Sequence, residues 1–173
     1  AEFRSLEDRV QALSASRRAR FEKRGQMLPR ERLAYLLDRG SPFLELSTLA
    51  GLGMYDDDGH KQVMGACVIT GLGFVSGIRC VVVAHDSGIK GGIIQPVGVR
   101  KVLRAQQMAY DNNLPCIYLV ESGGGNLHYQ FESMSIGGGM FRNLSRLSAK
   151  GLPQISVVHG SSTAGGAYLP GLS

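Results

Sequence analysis

Apolar residues along the chain keep two rhythms. One is the short run. Cys80-Val81-Val82-Val83-Ala84, Cys116-Ile117-Tyr118-Leu119-Val120 and the stretch from Gln154 to Val158 are mostly apolar and bounded by turn formers, as strands covered on both faces require. The first is the return arm of a hairpin, with residues 66–75 pairing with 78–85 around Ser76-Gly77. Phe43-Leu44-Glu45-Leu46 predicts another short strand. The second rhythm is the three- and four-residue spacing of helices. Leu6, Val10, Leu13 and Arg17 carry it across residues 4–24, until Gly25 breaks it. That stripe is narrow, so it is expected to dock on a partner or on missing chain rather than to form core. Pro29 opens a second helix with Leu33, Leu36 and Leu37 on one side, closed by Asp38-Arg39-Gly40-Ser41-Pro42. Pro96 opens a third, to about Asn113, burying Val99, Val102, Leu103 and Ala109. A fourth is predicted over 139–149, ending at Gly151-Leu152-Pro153. In the loop 51–62, Asp56-Asp57-Asp58-Gly59 reads as a solvated turn, because the later ligand positions of a calcium loop are missing.

After the hairpin, strands and helices alternate. That predicts an α/β chain with a parallel sheet, right-handed crossovers and flanking helices. Ligands of such sheets sit beyond the carboxyl ends of the strands. Two glycine-bearing turns lie at that end: Glu121-Ser122-Gly123-Gly124-Gly125-Asn126, and His159-Gly160-Ser161-Ser162-Thr163-Ala164-Gly165-Gly166-Ala167-Tyr168. Glycine lets a ligand approach the main chain, and N–H groups at a strand-to-helix turn can receive developing negative charge. The pair suggests a backbone oxyanion hole. Two tight turns in an α/β sheet have the same appearance.

Composition sharpens this picture at a few points. With 173 residues the chain is long enough for one domain with a sizeable core. Its 24 glycines cluster at strand ends and show no repeat. The net charge of +5 gathers before residue 33, without the aromatic-interleaved basic patch of a nucleic-acid binder. Cys67, Cys80 and Cys116 lie in or beside apolar strands, with neither metal nor disulfide spacing. Buried free thiols in a reducing compartment are expected. No apolar run is long enough to span a membrane. The first residues lack a signal-peptide core, and Glu2, Glu7 and Asp8 argue against a transit peptide. The chain begins at Ala1 rather than Met, and Ser173 falls inside an expected helix, which reads as a fragment.

Several side-chain chemistries are missing. Gly71-Leu72-Gly73 sits inside a strand and has no third glycine at the dinucleotide-binding step. No P-loop is present. Gly160-Ser161-Ser162-Thr163-Ala164 fails the hydrolase elbow at its last position and Glu121-Ser122-Gly123 at its first. Ser161 or Ser162 beside His159 is adjacency, not triad geometry. His60, His85, His128 and His159 have no metal spacing and read as loop or structural histidines. Glu121 is either a general base at a strand end or a carboxylate capping the next turn.

Six stretches, in order, resemble the carboxyltransferase β subunit of biotin-dependent acyl-CoA carboxylases. They are Leu28-Pro29-Arg30-Glu31-Arg32, Gly40-Ser41-Pro42-Phe43-Leu44-Glu45, Lys90-Gly91-Gly92, Glu121-Ser122-Gly123-Gly124, Ser148-Ala149-Lys150-Gly151-Leu152-Pro153-Gln154 and Thr163-Ala164-Gly165-Gly166-Ala167-Tyr168. The combination is most similar to the methylcrotonyl-CoA and geranyl-CoA carboxylase branch. It lacks the four-cysteine zinc ribbon of the bacterial acetyl-CoA enzyme. Glu121 stands where the family usually has Asp, Gly125 where it often has Ala, and His85 where Asn is common. These departures bear on acyl specificity more than on the reaction.

The resemblance implies a crotonase-like (ClpP/crotonase) fold, with a helical segment over 1–27. Residues 28–173 would be most of an N-terminal carboxyltransferase domain, incomplete at its C-terminus. The missing second domain would bring biotin. It implies a ligase in which CO2 leaves carboxybiotin, the acyl thioester loses a proton, and the thioester enolate takes up the CO2 at its α- or γ-carbon. Backbone amides would hold the enolate: Gly165 and Gly166 on one turn, Gly123 and Gly124 on the facing one. Lys90, Gly91, Gly92, Gly125, Ala164 and Ala167 would bind the acyl-CoA. Arg142, Arg146 and Lys150, spaced by four on one helical face, are expected either at the CoA phosphates or as a solvated charged face. Biotin would be carried by a partner protein or domain, and no metal is expected. The implied partners are acyl-CoA, a biotin carboxylase or biotin carboxyl carrier subunit, and further β subunits; nucleic acid and membrane are not expected. The compartment would be the bacterial cytoplasm, or the mitochondrial matrix in a eukaryote. A non-catalytic CoA-binding module and a crotonase-type hydratase or hydrolase are the alternatives.

Overall fold

A computed structural model describes residues 2–54 and 63–173. The aspartate-rich turn at 56–59 and His60 lie outside the described residues. Among the described residues, five strands form one sheet in chain order: β1 (Leu44–Leu46), β2 (Val68–Val75), β3 (Ile78–His85), β4 (Cys116–Ser122) and β5 (Gln154–Ser162). β1, β2 and β3 are antiparallel; β3, β4 and β5 are parallel. The hairpin forms in the expected register, with Val75 opposite Ile78. Asp38 caps its turn through the N–H groups of Ser76 and Gly77, both at 2.7 Å.

Alternation along the strands divides the core in two. Val81, Val83, Tyr118 and Val120 face α4 (Pro96–Asn112) and α5 (Gln130–Ala149), meeting Val99, Val102, Ala105, Leu144 and Leu147. Val82, Ala84, Ile117 and Leu119 face α3 (Pro29–Leu36) through Leu33, with Leu36 and Leu37 beside it. α3 and α4 start at prolines, Pro29 and Pro96, and the Leu28 N–H donates to the Glu31 carboxylate at 2.9 Å. α4 ends with Asn113 in the left-handed conformation.

Several expectations are corrected. Residues 4–24 are not one helix: α1 (Glu2–Ala15) and α2 (Arg18–Glu22) are separated at Ser16-Arg17. Their apolar stripe is core of this chain. Val10 is buried against Gly65, Leu13 packs on the Val63, Cys67 and Ile89 cluster, and Phe21 lies under Arg32. α5 begins nine residues earlier than residue 139. It runs through Gly137-Gly138-Gly139, and a Cβ at Gly139 would lie 3.0 Å from Leu103 of α4. The glycine there serves close helix packing. β5 continues through Ser162, so His159 to Ser162 are strand rather than turn, and Ser173 lies past α6 (Gly165–Gly171). The three cysteines are free and buried, as expected. Burial pushes the Cys67 thiol up to about 12. Among the described residues no helix is long and apolar enough to cross a membrane.

Candidate functional site

β3, β4 and β5 all end on one side of the sheet, and the segments leaving them are laced together. Gly123 N–H donates to the Gly92 carbonyl at 3.2 Å, Ile94 N–H to Gly124 at 2.8 Å, and Asn126 N–H to Ile94 at 3.0 Å. These bonds set a parallel bridge between Ile94 and Gly125. Lys90, Gly91 and Gly92 form a tight turn within this lacing, with Lys90 half-buried. Thr163 N–H donates to the Ser122 carbonyl at 3.2 Å and joins the third segment. The structure therefore brings Gly91, Gly92, Gly123, Gly124, Gly125 and the 163–167 turn to one place.

Ser122 is the hinge pin between the two glycine turns. Its Oγ accepts from the Gly124 N–H at 3.1 Å. A Cβ on Gly166 would stand 2.8 Å from the Ser122 Cβ and 2.9 Å from its Oγ. Only a residue without a side chain lets the start of α6 rest there. Ser162 Oγ donates to the Gly166 carbonyl at 2.8 Å and fixes the turn from the strand side. Ala164, between them, is held at φ 49 and ψ −123, a strained conformation for a residue with a Cβ.

Most amides at the two turns are already engaged. Gly123 and Gly124 donate as above, Gly166 donates to the Thr163 carbonyl at 3.0 Å, and Ala167 to that of Ala164 at 2.9 Å. Among the described residues, the N–H groups of Gly125 and Gly165 have no intramolecular acceptor. Both residues are exposed, as are Gly123, Thr163 and Ala164 beside them. What this arrangement offers chemically is a pair of turns with main-chain donors that meet no acceptor among the described residues, at an open rim.

The basic face of α5 is elsewhere. Arg146 and Lys150 both stack on the Tyr110 ring, 4.1 Å and 4.2 Å from its centroid. Lys150 Nζ donates to the Tyr110 carbonyl at 2.6 Å, and Arg142 is exposed. This end of α5 leads into the start of β5, so Arg146 and Lys150 sit at the opposite end of the sheet from the glycine turns. A 20-residue helix separates the two ends by roughly 30 Å.

The histidines and Glu121 form a feature that patterns did not announce. Arg32 of α3 donates from Nη1 to Glu121 Oε2 at 2.7 Å, and both side chains are buried. Glu121 thus pairs with α3 rather than capping the turn that follows β4. Its N–H donates to His85 Nδ1 at 3.3 Å. Burial pushes His85 down to about 4, so the ring is neutral and donates from Nε2, which meets no acceptor among the described residues. His159 is lowered by burial and by Arg32, and its carbonyl accepts from Gln26 Nε2 at 3.0 Å. The sequence held a signal for the ion pair: an arginine beside the apolar Leu33 and a glutamate ending an otherwise apolar strand. Among the described residues no cluster of three or more His, Cys, Asp or Glu side chains offers a metal site.

An open α/β sheet with facing glycine turns beyond its parallel strands is a crotonase-like arrangement. Residues 20–173 match the Carboxyl transferase domain, and the chain belongs to that family. It is 53% identical over 153 residues to the mitochondrial methylcrotonoyl-CoA carboxylase beta chain of Dictyostelium discoideum, covering 87% of this chain and 26% of that one. It is 52% identical over 167 residues to the biotin-dependent 3-methylcrotonyl-coenzyme A carboxylase beta1 subunit of Mycobacterium tuberculosis, covering 94% and 31%. Among solved structures, the geranyl-CoA carboxylase beta subunit of P. aeruginosa superposes with a TM-score of 0.91 at 54% identity, over 100% of this chain and 32% of that one. The chain thus spans about a third or less of these relatives.

Proposed function

We propose that the chain forms the acyl-thioester side of a carboxyltransferase site, in which biotin borne by a partner protein or domain supplies the carboxyl group to an acyl-CoA. The observation that carries this reading is the junction of the two turns at Ser122 and Gly166, with N–H groups on exposed Gly125 and Gly165 that meet no acceptor among the described residues. Removing a proton from the α-carbon of a thioester, or from the γ-carbon of an α,β-unsaturated one, places charge on the carbonyl oxygen. Preorganised N–H donors lower the cost of that charge. The C–H electron pair then forms the new C–C bond to CO2. The proton would go to the biotin enolate that is left when CO2 departs from carboxybiotin, and no side chain of this chain is assigned it. Gly123, Gly124 and Gly166 shape the hole rather than donate into it. Gly91, Gly92, Ala164 and Ala167 flank the bound thioester, with Lys90 at its edge. The open rim fits delivery from a carrier, and association with further β subunits belongs to the same reading.

The test is ATP-dependent incorporation of labelled bicarbonate into methylcrotonyl-CoA, geranyl-CoA and acetyl-CoA by the complete subunit with its biotin-carrying partner. Incorporation abolished by avidin is expected. Hydration or hydrolysis of acyl-CoA without the biotin partner would contradict the reading.

A further inference from the structure

β4 and β5 fall out of register beside the site. Val120 pairs with Val158 and Ser122 with Ser162, so Glu121 alone stands opposite His159, Gly160 and Ser161. Such a bulge bends a strand and re-aims the residues beyond it. Here those residues are Ser162, Ala164 and Gly165. The bulge closes directly onto the Glu121 carboxylate: a Cβ on Gly160 would lie 3.0 Å from Oε1 and 3.1 Å from Cδ. Gly160 is not in the left-handed region, so its lack of a side chain is a matter of this contact alone. Arg32 grips the same carboxylate from α3, and Gln26 holds the His159 carbonyl from the segment before α3.

A buried ion pair is a poor way to gain stability, because desolvation offsets most of the attraction. This one also leaves Arg32 Nη2, His85 Nε2, His159 Nε2 and Gln26 Oε1 buried without partners among the described residues. Apolar side chains would fill the space at lower cost. What they would lack is direction. From this we infer that Arg32 and Glu121 are positioning residues for the carboxyltransfer site. The ion pair props the 159–161 bulge against the end of β4, and so sets the Gly165 amide relative to Ser122 and the Gly125 amide. The inference rests on the proposed function for its catalytic consequence only.

The experiment uses the complete subunit with its biotin-carrying partner. Arg32→Met removes the grip, Arg32→Lys keeps the charge, and Gly160→Ala pushes on the carboxylate from the other side. Acyl-CoA carboxylation kinetics are measured together with amide hydrogen exchange. For Arg32→Met and Gly160→Ala, kcat is expected to fall by about 10²-fold with KM within about twofold, the scale of a small misplacement. Exchange is expected to quicken over 159–166 but not in α4, and Arg32→Lys is expected to recover part of both. Should Arg32→Met not fold, Gly160→Ala carries the test. Wild-type exchange in a folded variant overturns the inference, as does faster exchange with wild-type kcat. If the wild-type complex carboxylates nothing, the functional reading fails, and exchange over 159–166 still decides whether the pair positions the bulge.

Discussion

At the scale of residues, the site depends on what each backbone N–H is already doing. Glycine positions are visible in a sequence; the bonding of their amides is not. Gly123, Gly124 and Gly166 read as donors, yet each amide is committed inside the chain. The N–H groups of Gly165 and of Gly125, the latter read as a binding residue, meet no acceptor among the described residues. Gly166 matters for a different reason, the close contact with Ser122. Gly166→Val in the complete subunit is expected to lower kcat by about 10²-fold or more, the scale of one lost oxyanion donor, because it drives the turns apart. Thermal unfolding checks that the variant folds, and a folded variant with wild-type kcat would reduce Gly166 to a tight turn. Likewise Arg32 and Glu121 are each legible as misplaced charges, but their meeting across 89 positions of sequence is not.

At the scale of elements, short apolar runs and three-four spacing find the hairpin, α3, α4 and the β4 and β5 runs. They fail where packing overrides local chemistry: Gly139 of α5 packs on Leu103, and the narrow stripe of α1 covers the loop after β3. Ser14 Oγ donates to Asp86 Oδ1 at 2.8 Å, so α1 braces the segment that carries Gly91 and Gly92. Val10→Asp should release it. Burying a valine is worth roughly 1.5–3 kcal/mol, and amide exchange over 2–15 and 86–92 is expected to rise about tenfold or more. Unchanged exchange would show that α1 is only an ornament on the domain. The junction of β3 and β4 carries a pH signature. His85 sits at about 4 in the fold against 6.5 for an exposed ring. Between those values the unfolded chain holds the extra proton, so stability falls as pH falls through that window and is unaffected above it. Relative to His85→Gln, wild type should lose up to about 1.4 kcal/mol per pH unit there. Parallel pH profiles of denaturation midpoint for the two proteins would contradict a buried neutral imidazole.

At the scale of the whole molecule, the described residues form one sheet whose last strand is an open edge. Ile155, Val157 and Val158 of β5 are exposed, as are Leu127, Phe131 and Met134 near the glycine turns. Exposed apolar edges invite pairing. Residues 1–173 alone are expected to show no carboxylation and to bind a hydrophobic dye more strongly than the complete subunit. Robust biotin-dependent turnover by these residues alone would contradict the division of the site between this chain and a partner domain.

In the proposed site the thioester oxygen is held by main-chain donors between the 123–125 and 163–167 turns. The structure of the complete subunit with an acyl-CoA bound decides whether it is. The thioester carbonyl oxygen is expected within roughly 2.7–3.1 Å of the Gly165 and Gly125 nitrogens. A thioester seated at the Tyr110, Arg146 and Lys150 end of the sheet, or an oxygen met only by side chains, would contradict it.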